Sequence, residues 1–315
     1  MARGTHCWYN GKILPVGEAR ISLFTHGLHY GSGAFEGIRA YKQASGGGAV
    51  FRLSEHLRRF EESAKILGFK LPYTQPQLTR AVLETCKANG FEECYVRPIL
   101  FVGDGPLGVN PGTEPPIDVA ILVWEWGAYI GAEHGGARLK ISSFVRPHVN
   151  SSMTKGKITG QYINSVLAKR EAIAAGFEEA ILLDPEGYVT EGTGENIFIV
   201  LNRGGETVVK TTPPTSILNG ITRQTIIECL RQKGRTVSEM RFTRDELWCA
   251  DEVFLTGTAA EITAVQEIDG RRIGFGEAAG KPGPVTLQIQ RDFNALVHGQ
   301  DKPVFAKNWL TPISS

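Results

Sequence analysis

Two lysines stand two positions apart in a short polar segment near the middle of the chain. The segment "SSMTKGKITGQYINS" covers residues 151–165 and holds Lys155 and Lys157, followed by Tyr162. A lysine amine becomes a nucleophile toward a carbonyl carbon when burial or a neighbouring cation lowers its pKa. Residues two apart in an extended segment face the same side, so the spacing does not choose between the two lysines. The alternative for each is an ordinary surface cation.

Two turns in the second half of the chain present backbone N–H groups. The stretch "LNGITRQ" (218–224) leads into a predicted helix, and "TGTAAE" (256–261) follows an apolar strand. N–H groups at a helix start bind phosphate or carboxylate well, although most such turns only cap a helix. Together with an arginine such as Arg59, the two turns would suit one phosphorylated ligand.

The stretch "TEGTGENIF" holds two acids, Glu191 and Glu195, among glycines. Glycine permits a close approach of the backbone to a ligand. An acid in this position is either a solvated loop charge or a buried partner for a cationic ring nitrogen. The pattern alone leaves both interpretations open.

Composition and motifs exclude several classes of function. The chain has 315 residues with 34 basic and 33 acidic side chains, a balance that argues against nucleic-acid binding or a polybasic membrane surface. "GSGAFEG" (31–37) has the wrong spacing for a dinucleotide fingerprint and precedes a strand. The five cysteines lack a C-x-x-C pair and the histidines are scattered, which predicts reduced thiols and no metal site.

The cysteine pattern is typical of a cytoplasmic protein, and we expect neither a signal peptide nor a membrane span. The stretch "MARGTHCWYNGKILP" has no apolar core of the kind found in signal peptides. No run approaches the roughly 18 apolar residues of a membrane span.

The first half of the chain predicts a mixed α/β unit. A helix is expected from Ser54, as its N-cap, to a stop at Gly68, with Leu57, Phe60, Ala64 and Leu67 facing the core. A second helix is expected over residues 75–89. Strands are predicted at "HCWY" and "KILP" around an Asn-Gly turn, and at "GIRAYK", "AVFRL", "CYVRPILFVG" and "IDVAILVWEW".

The second half predicts a larger unit. The Gly-rich stretch "WGAYIGAEHGGARLK" indicates a connection, which gives a small domain over 1–124, a connection over 125–136 and a large domain over 137–315. A helix over about 162–175 is expected to bury Ile163, Val166, Leu167 and Ile173. The remaining elements are a strand at "LKISSFVRP", a hairpin turning at 184–187, a helix at "GITRQTIIECLRQKG", a strand followed by a tight turn in "DEVFLTGTAAEITAV" and a helix at "GPVTLQIQRDFNALVHG".

Several long motifs in a fixed order give the sequence a specific resemblance. "KITGQY", "EGTGENIF", "LNGITR" and "GTAAEIT" resemble the class IV, fold-type IV aminotransferases, which use pyridoxal 5′-phosphate. "HGLHYGSGAFEGIRAY", "HLRRFEESAKI", "YVRPILFVGDGPLGVNP" and "WGAYIG" are similar to the branched-chain members of that family. The resemblance implies an α/β (mixed α+β) two-domain fold, with a β-barrel-like core in the large domain and the cofactor at the domain interface. It also implies at least a homodimer.

The resemblance implies a role for each candidate cofactor residue. Lys157, five residues before Tyr162, matches the Schiff-base lysine, which leaves Lys155 as a neighbouring polar residue. Glu191 matches the acid that keeps the ring nitrogen protonated, so that the ring can act as an electron sink. Leu218 is expected on the ring face and Tyr162 near the 3′-oxygen. The residues expected to hold the phosphate are Arg59, Ile221, Thr222, Gly257 and Thr258.

The resemblance implies substrate contacts as well. Tyr95 and the turn at Thr258 and Ala259 are expected to bind the α-carboxylate, and Arg97 the γ-carboxylate of 2-oxoglutarate. The apolar wall for a branched side chain would comprise Tyr30, Phe35, Gly37, Tyr129 and Tyr162. A loop of the second subunit would add Leu107, Gly108 and Val109. Gln161 departs from the asparagine found in many relatives, a change between two amides.

The implied activity is transfer of the amino group of L-leucine, L-isoleucine or L-valine to 2-oxoglutarate by a ping-pong mechanism. Alternatives within the fold are a D-amino acid aminotransferase, an (R)-selective amine transaminase and aminodeoxychorismate lyase. Outside catalysis, the alternatives are a pyridoxal-phosphate binding protein and a binding domain without cofactor. The intact Lys157 and the two backbone turns argue against these last two.

Overall fold

A computed structural model describes residues 1–127 and 135–313 of the chain. The chain divides into two compact units. The first comprises Met1–Gly127, Gly156–Tyr162 and Ala295–Ser315, and the second comprises Ala128–Lys155 and Ile163–Asn294. The predicted connection at 125–136 lies partly outside the described residues, so its boundaries stay a prediction.

The described residues form seven α-helices, four short 3₁₀ turns and seventeen strands. The helices are α1 (His26–Tyr30), α2 (Leu53–Ile66), α3 (Gln75–Ala88), α4 (Tyr162–Ala174), α5 (Ile221–Gln232), α6 (Arg244–Trp248) and α7 (Pro284–Val297). The 3₁₀ turns are Val16–Glu18, Thr159–Gln161, Gly276–Ala278 and Val304–Ala306. The strands are β1 (His6–Tyr9), β2 (Lys12–Pro15), β3 (Gly33–Phe35), β4 (Ile38–Lys42), β5 (Gly48–Phe51), β6 (Cys94–Val102), β7 (Ile117–Trp124), β8 (Ala137–Val145), β9 (Glu179–Leu183), β10 (Val189–Gly192), β11 (Asn196–Arg203), β12 (Glu206–Thr211), β13 (Val237–Glu239), β14 (Glu252–Gly257), β15 (Glu261–Ile268), β16 (Arg271–Arg272) and β17 (Leu310–Pro312).

The first unit is an eight-stranded antiparallel sheet with helices α2 and α3 packed on it. The strand order is β17-β5-β4-β6-β7-β1-β2, and β3 pairs with β6. β7 alternates buried and half-buried residues, as a strand with one face on a core requires. The predicted Asn-Gly turn is confirmed, because Asn10 and Gly11 both have positive φ, 46° and 93°, as a type I′ turn needs.

Helix α2 starts differently from the prediction. The N-cap is Arg52, which takes a left-handed conformation with φ 48° and donates from Nε to Glu55 Oε1 at 2.8 Å. Ser54 lies inside the helix, so its assignment as N-cap is wrong. The Ser54 hydroxyl instead accepts a bond from Gln75 of α3 at 2.9 Å. The rest of the helix prediction is confirmed: Leu57, Phe60 and Ala64 are buried, Leu67 packs against the same apolar cluster, and Gly68 follows with φ 76°.

The second unit contains a closed six-stranded barrel. β10 pairs with β9 on one side and β11 on the other, so β8, β9, β10, β11, β14 and β15 form a ring. β8 runs parallel to both β9 and β15, and the other pairs in the ring are antiparallel. Strands β12, β13 and β16 extend this sheet. The predicted mixed fold with a barrel-like core is confirmed.

The predicted buried face of helix α4 is wrong. Its buried residues are the small Ser165, Ala168 and Ala172, of which the two alanines pack against Ala180 and Leu182 of β9. The four apolar side chains predicted to be buried are exposed in the chain: Ile163, Val166, Leu167 and Ile173. The helix lies close to the barrel strand because its inward residues are small, and the larger apolar residues take the outward face.

Within the described part of the chain, no helix combines the length and the apolar character needed to cross a membrane.

Candidate functional site

The backbone at Lys157 is fixed from two sides within the first unit. Its N–H donates to Ser63 Oγ of α2 at 3.0 Å, and its carbonyl accepts from the Phe35 N–H at 3.0 Å. The Lys157 amine donates to the Tyr162 hydroxyl at 2.6 Å, and its Nζ lies 4.9 Å from the ring centres of both Tyr162 and Phe35. This lysine is therefore half-buried in an aromatic surrounding with no acid paired to it among the described residues.

Lys155 has a different environment. It is exposed, belongs to the second unit, and its amine donates to the carbonyl of Pro214. The structure thus separates the two lysines that the sequence pattern could not separate.

Arg59 is held by a buried carboxylate. Its Nε and Nη2 donate to Glu36 Oε1 and Oε2 at 2.7 and 2.9 Å, and Glu36 is completely buried. Burial alone would raise the Glu36 pKa, but the charge of Arg59 and a 2.7 Å bond from His56 Nδ1 outweigh it and lower the pKa. Burial lowers the pKa of His56, so a neutral imidazole donates its Nδ1–H to the ionised acid. Arg59 is fixed in one orientation as a result.

A cluster of aromatic rings surrounds Arg97 on strand β6. Its guanidinium carbon lies 4.7 Å from the ring centre of Phe35, 5.3 Å from Tyr95 and 5.4 Å from Trp124. Nη2 lies 3.4 Å from the Tyr95 hydroxyl, and the buried Nε has no hydrogen-bond partner among the described residues. Cation–π contacts hold the charge, so the guanidinium remains available to an incoming anion.

Gly37 follows Glu36 and approaches Tyr95 closely. A Cβ atom on Gly37 would lie 2.0 Å from the Tyr95 hydroxyl oxygen. Tyr95 itself packs against Trp124 and Trp126, with ring centres 4.9 and 4.7 Å away. Only glycine at position 37 leaves this tyrosine in place.

Helix α1 and the loop at 107–109 are tied together. The Tyr30 hydroxyl donates to the Leu107 carbonyl at 2.8 Å, and His26 Nε2 lies 2.9 Å from the Gly108 carbonyl oxygen. Val109, at the end of this loop, is 84% exposed. Tyr129, the other predicted wall residue, lies outside the described residues.

Glu191 is the centre of a polar network in the second unit. Arg146 donates to its Oε1 from Nε at 2.8 Å and from Nη2, and the N–H of Leu218 reaches the same oxygen at 3.3 Å. Asn196 donates to Oε2 at 3.0 Å. Arg146 also donates from Nη1 to the Ser165 hydroxyl at 3.1 Å. Glu191 is thus a buried acid with a cationic partner. Of the two interpretations of this acid that the sequence allows, a solvated loop charge or a buried partner, the structure excludes the solvated one.

The same Asn196 fixes the loop that precedes helix α5. Its amide donates to the Leu218 carbonyl at 2.9 Å and accepts from the Gly220 N–H at 3.1 Å. A Cβ on Gly220 would lie 2.1 Å from Asn196 Oδ1. Gly220 is the N-cap of α5, so Ile221 and Thr222 occupy its first turn, where N–H groups have no acceptor within the helix.

The second predicted turn lies next to the other acid. Thr258 and Ala259 form the tight turn between β14 and β15. Gly257 comes just before it, where a Cβ would be 3.4 Å from Glu195 Cγ. The structure therefore brings together Glu191, Leu218 and the start of α5, and places the Gly257 turn beside Glu195.

Glu195 has a different partner from Glu191. It is buried and interacts with Glu179, whose Oε2 accepts from Lys169 at 2.6 Å and whose Oε1 accepts from Thr193 at 2.8 Å. Burial and the nearby charge of Glu179 raise the pKa of Glu195 to about 8, against the opposing effect of Lys169. Glu195 is therefore mostly a neutral acid at pH 7, which makes it unsuited to stabilise a cation.

Sequence reasoning missed four residues of these networks: Glu36, His56, Arg146 and Asn196. His56 and Arg59 are three apart on α2, a spacing that places two side chains on one helix face. That spacing could have drawn attention to His56. Asn196 stands in "EGTGENIF", but nothing in the sequence indicated its link to Leu218 or Gly220. Among the described residues, no group of three His, Cys, Asp or Glu side chains could hold a metal ion.

The chain matches the family model "Amino-transferase class IV" over residues 33–268. It belongs to the class IV aminotransferase family. Its similarity to individual relatives is more specific than the family match, since these relatives share one named activity and match nearly the whole chain.

These relatives are branched-chain-amino-acid aminotransferases. The protein of that name from Pseudomonas aeruginosa is 45% identical over 295 residues, 93% of each chain. The one from Escherichia coli K12 is 39% identical over 316 residues, 99% of this chain and 98% of that one. The crystal structure of the T.th. branched-chain amino acid aminotransferase with pyridoxamine 5′-phosphate has a TM-score of 0.92 and 44% identity, and covers 100% of both chains.

The titration of Glu195 predicts a pH-dependent stability. Its folded-state pKa of about 8 lies above its ordinary value of 4.5. The folded form therefore holds the extra proton between these values, and its contribution to stability is complete below pH 4.5 and is lost as the pH rises toward 8. We expect Glu195→Gln, which cannot ionise, to unfold in urea with a flatter pH dependence between about pH 5 and 8.

Glu206→Gln is the matched control, since Glu206 is an exposed acid on β12 of the same unit. It should follow the wild-type curve. If Glu195→Gln also follows that curve, the buried acid is ionised in the folded protein.

Proposed function

We propose that this protein is a pyridoxal-5′-phosphate-dependent aminotransferase that moves the amino group of L-leucine, L-isoleucine or L-valine to 2-oxoglutarate by a ping-pong mechanism. The observation that carries the proposal is the Lys157 amine, 2.6 Å from the Tyr162 hydroxyl and bordered by aromatic rings. The branched-chain relatives, at 39% and 45% identity over nearly the full length, support the substrate class. They do not favour a D-amino acid or (R)-selective amine transaminase.

The residues present fit the chemistry of pyridoxal phosphate. The first turn of α5, with Ile221 and Thr222, supplies N–H groups at the positive end of a helix. Arg59 and the turn at Gly257 and Thr258 add a guanidinium and further N–H groups.

The bound cofactor supplies an aldehyde for the amino group and an electron-withdrawing ring. The protein would supply the remaining groups. Lys157 would hold the aldehyde covalently and, once the substrate has released its amine, would move the proton at Cα. General acid–base catalysis of this kind contributes about 10²–10⁴-fold. The Tyr162 hydroxyl accepts a hydrogen bond from the lysine amine and so orients it.

Glu191 holds the proton on the ring nitrogen. Its carboxylate is ion-paired to Arg146 and bonded to Asn196, and it is almost fully removed from water. A charged acceptor at that position keeps the ring cationic. We expect Leu218, whose N–H contacts the same carboxylate, to pack against the ring.

The two substrates require one pocket that accepts an apolar side chain from one and a second carboxylate from the other. Phe35, Tyr95 and Trp124 present apolar ring faces around Arg97. We propose that leucine, isoleucine and valine contact a wall of this kind that includes Tyr30, Gly37 and Tyr129, and that Arg97 binds the γ-carboxylate of 2-oxoglutarate bidentately. The Tyr95 hydroxyl, with Thr258 and Ala259, would bind the α-carboxylate common to both substrates.

We also propose a homodimer in which the loop at 107–109 completes the partner's site. The first unit exposes a patch of large apolar side chains, Leu23 (83% exposed), Phe24 (63%), Leu28, Tyr30 and Val109. Hydrogen bonds from His26 and Tyr30 attach the loop to α1 in the same patch. Exposed apolar patches with polar rims mark association surfaces, and a second copy is the commonest occupant in a soluble oligomer.

The lack of disulfides supports a cytoplasmic location. None of the five cysteines forms a disulfide, and three of them are buried. Proteins of oxidising compartments tend instead to form disulfides.

The first test of the proposal is the visible spectrum of the purified protein loaded with pyridoxal phosphate. L-leucine should bleach the cofactor band toward the pyridoxamine form, and 2-oxoglutarate should restore it, because both half-reactions use one site. D-alanine is the control donor. A response to D-alanine but not to L-leucine would keep the cofactor and reject the branched-chain assignment. No band with Lys157 intact would reject the cofactor as well.

The role of Arg97 is tested by Arg97→Met. We expect kcat/KM for 2-oxoglutarate to fall by about 10²–10³-fold, as a lost charged contact of about 3–4 kcal/mol implies, while the L-leucine half-reaction changes less than about tenfold. Stopped-flow measurement of each half-reaction separates the two. Arg39→Met is the matched control, since Arg39 also lies over an aromatic ring, Tyr41, on the neighbouring strand β4. Equal losses in both half-reactions would contradict the assignment.

The shared site is tested by mixing two inactive variants, Lys157→Ala and Val109→Trp. If the loop serves the partner's site, a hybrid dimer has one site with Lys157 and Val109 both intact. Random mixing should then restore about one quarter of wild-type activity. No recovery on mixing would place Val109 in its own subunit's site.

Leu23→Asp should yield monomers in sedimentation, whereas Val304→Asp, an exposed valine outside the patch, should not.

A further inference from the structure

Arg146 is held against Glu191 by contacts of both its backbone and its side chain. Arg146 directly follows strand β8, and its N–H donates to the Leu183 carbonyl of β9 at 2.7 Å. Its side chain is 15% exposed and that of Glu191 is 4% exposed. Nε and Nη2 both point at Glu191 Oε1, while Nη1 donates to Ser165 of α4. Backbone and side chain together leave the guanidinium little freedom to move away from the carboxylate.

A buried carboxylate without a cation would favour its neutral form, because desolvation penalises the charge. In that form Glu191 would carry the proton itself and would donate a hydrogen bond. A neutral acid facing a pyridine nitrogen leaves the ring uncharged and therefore weak as an electron sink. Asn196 and the Leu218 N–H donate to the carboxylate too, but of these three donors Arg146 alone adds a full positive charge.

We propose that Arg146 is a positioning residue that sets the proton on the cofactor ring nitrogen rather than on Glu191. This inference rests on the proposed function, since it takes Glu191 as the partner of the ring nitrogen. Arg146 lies against the carboxylate, so its charge would lower the proton affinity of Glu191 more than that of a group farther from the guanidinium. It acts through Glu191, and substrate need not touch it.

The test is the ring-nitrogen resonance of the holoenzyme loaded with ¹⁵N-labelled pyridoxal phosphate, which reports protonation directly and does not depend on turnover. An opposite charge at this distance shifts a carboxyl pKa by about 1–3 units, so in Arg146→Met the ring-protonated population should fall about 10- to 1000-fold relative to the neutral form. Turnover of L-leucine should fall by a similar factor with KM nearly unchanged. Arg146→Lys, which keeps a charge but loses the planar two-point contact, should lie between the two.

Two further comparisons make the result specific. In a Glu191→Gln background, Arg146→Met should have little further effect, because the group through which it acts is already gone. Arg241→Met is the matched control: Arg241 makes ion pairs to Asp184 and Glu186 in the same unit but lies at the surface, and it should leave the resonance unchanged.

Each outcome has one meaning. A wild-type protein that binds no pyridoxal phosphate overturns this inference together with the proposed function. A wild-type protein with a protonated ring, and an Arg146→Met variant whose ring is equally protonated at the same occupancy, overturns this inference alone. If Arg146→Met does not fold, the comparison of Arg146→Lys with Glu191→Gln decides. A ring-nitrogen resonance of Arg146→Lys identical to that of Glu191→Gln would contradict the inference.

Discussion

Closure of the barrel depends on one pair of residues. Glu191 of β10 lies opposite Asn196 of β11 in the register pair that joins these strands, and the same two side chains bond to each other at 3.0 Å. Asn196 then holds the loop at Leu218 and Gly220. The pair that joins β10 to β11 therefore also sets the acid and the turn before α5 at a fixed separation. The same two residues carry a backbone pairing of the sheet and a side-chain bond of the candidate site.

The first unit positions two basic side chains, those of Arg59 and Lys157. The groups that hold them are Glu36, between β3 and β4, and Ser63 of helix α2. Glu36 holds Arg59 by two bonds. Ser63 accepts from the Lys157 N–H, and its own hydroxyl donates to the Arg59 carbonyl at 2.8 Å. One turn of α2 thus fixes the position of the lysine backbone and of the arginine together.

The sequence allowed the elements and the motif-borne candidates to be predicted, because both depend on local patterns. The Asn-Gly hairpin, the start of α5 and the tight turn after β14 follow from turn chemistry, and Lys157 was separable from Lys155 only through the family motif. The buried face of helix α4 was misassigned because its apolar residues follow helical periodicity on the outward face. Periodicity reports that a face is apolar and does not report what covers it.

The partners of the buried charges could not be predicted in this way. Arg146 and Glu191 are 45 positions apart, and Glu36 and Arg59 are 23 apart. Their contacts exist only after strands and helices have been assembled, and no spacing rule connects them. The cost of burying a charge predicts that a partner must exist, but it does not identify the partner.

The first unit is assembled from three separate stretches of chain, and this order has a consequence for synthesis. β5 is paired on one side by β17, near the C-terminus, and the Arg52 N–H at the start of α2 donates to the carbonyl of Trp309 at 2.6 Å. A nascent chain emerging from the ribosome therefore holds an unfinished sheet edge until residues 310–312 have been synthesised. The second unit, whose barrel strands lie between residues 137 and 268, has all its barrel strands available earlier. In the cell the first unit would then finish folding after the second, although most of its strands are synthesised before it, the reverse of the usual order.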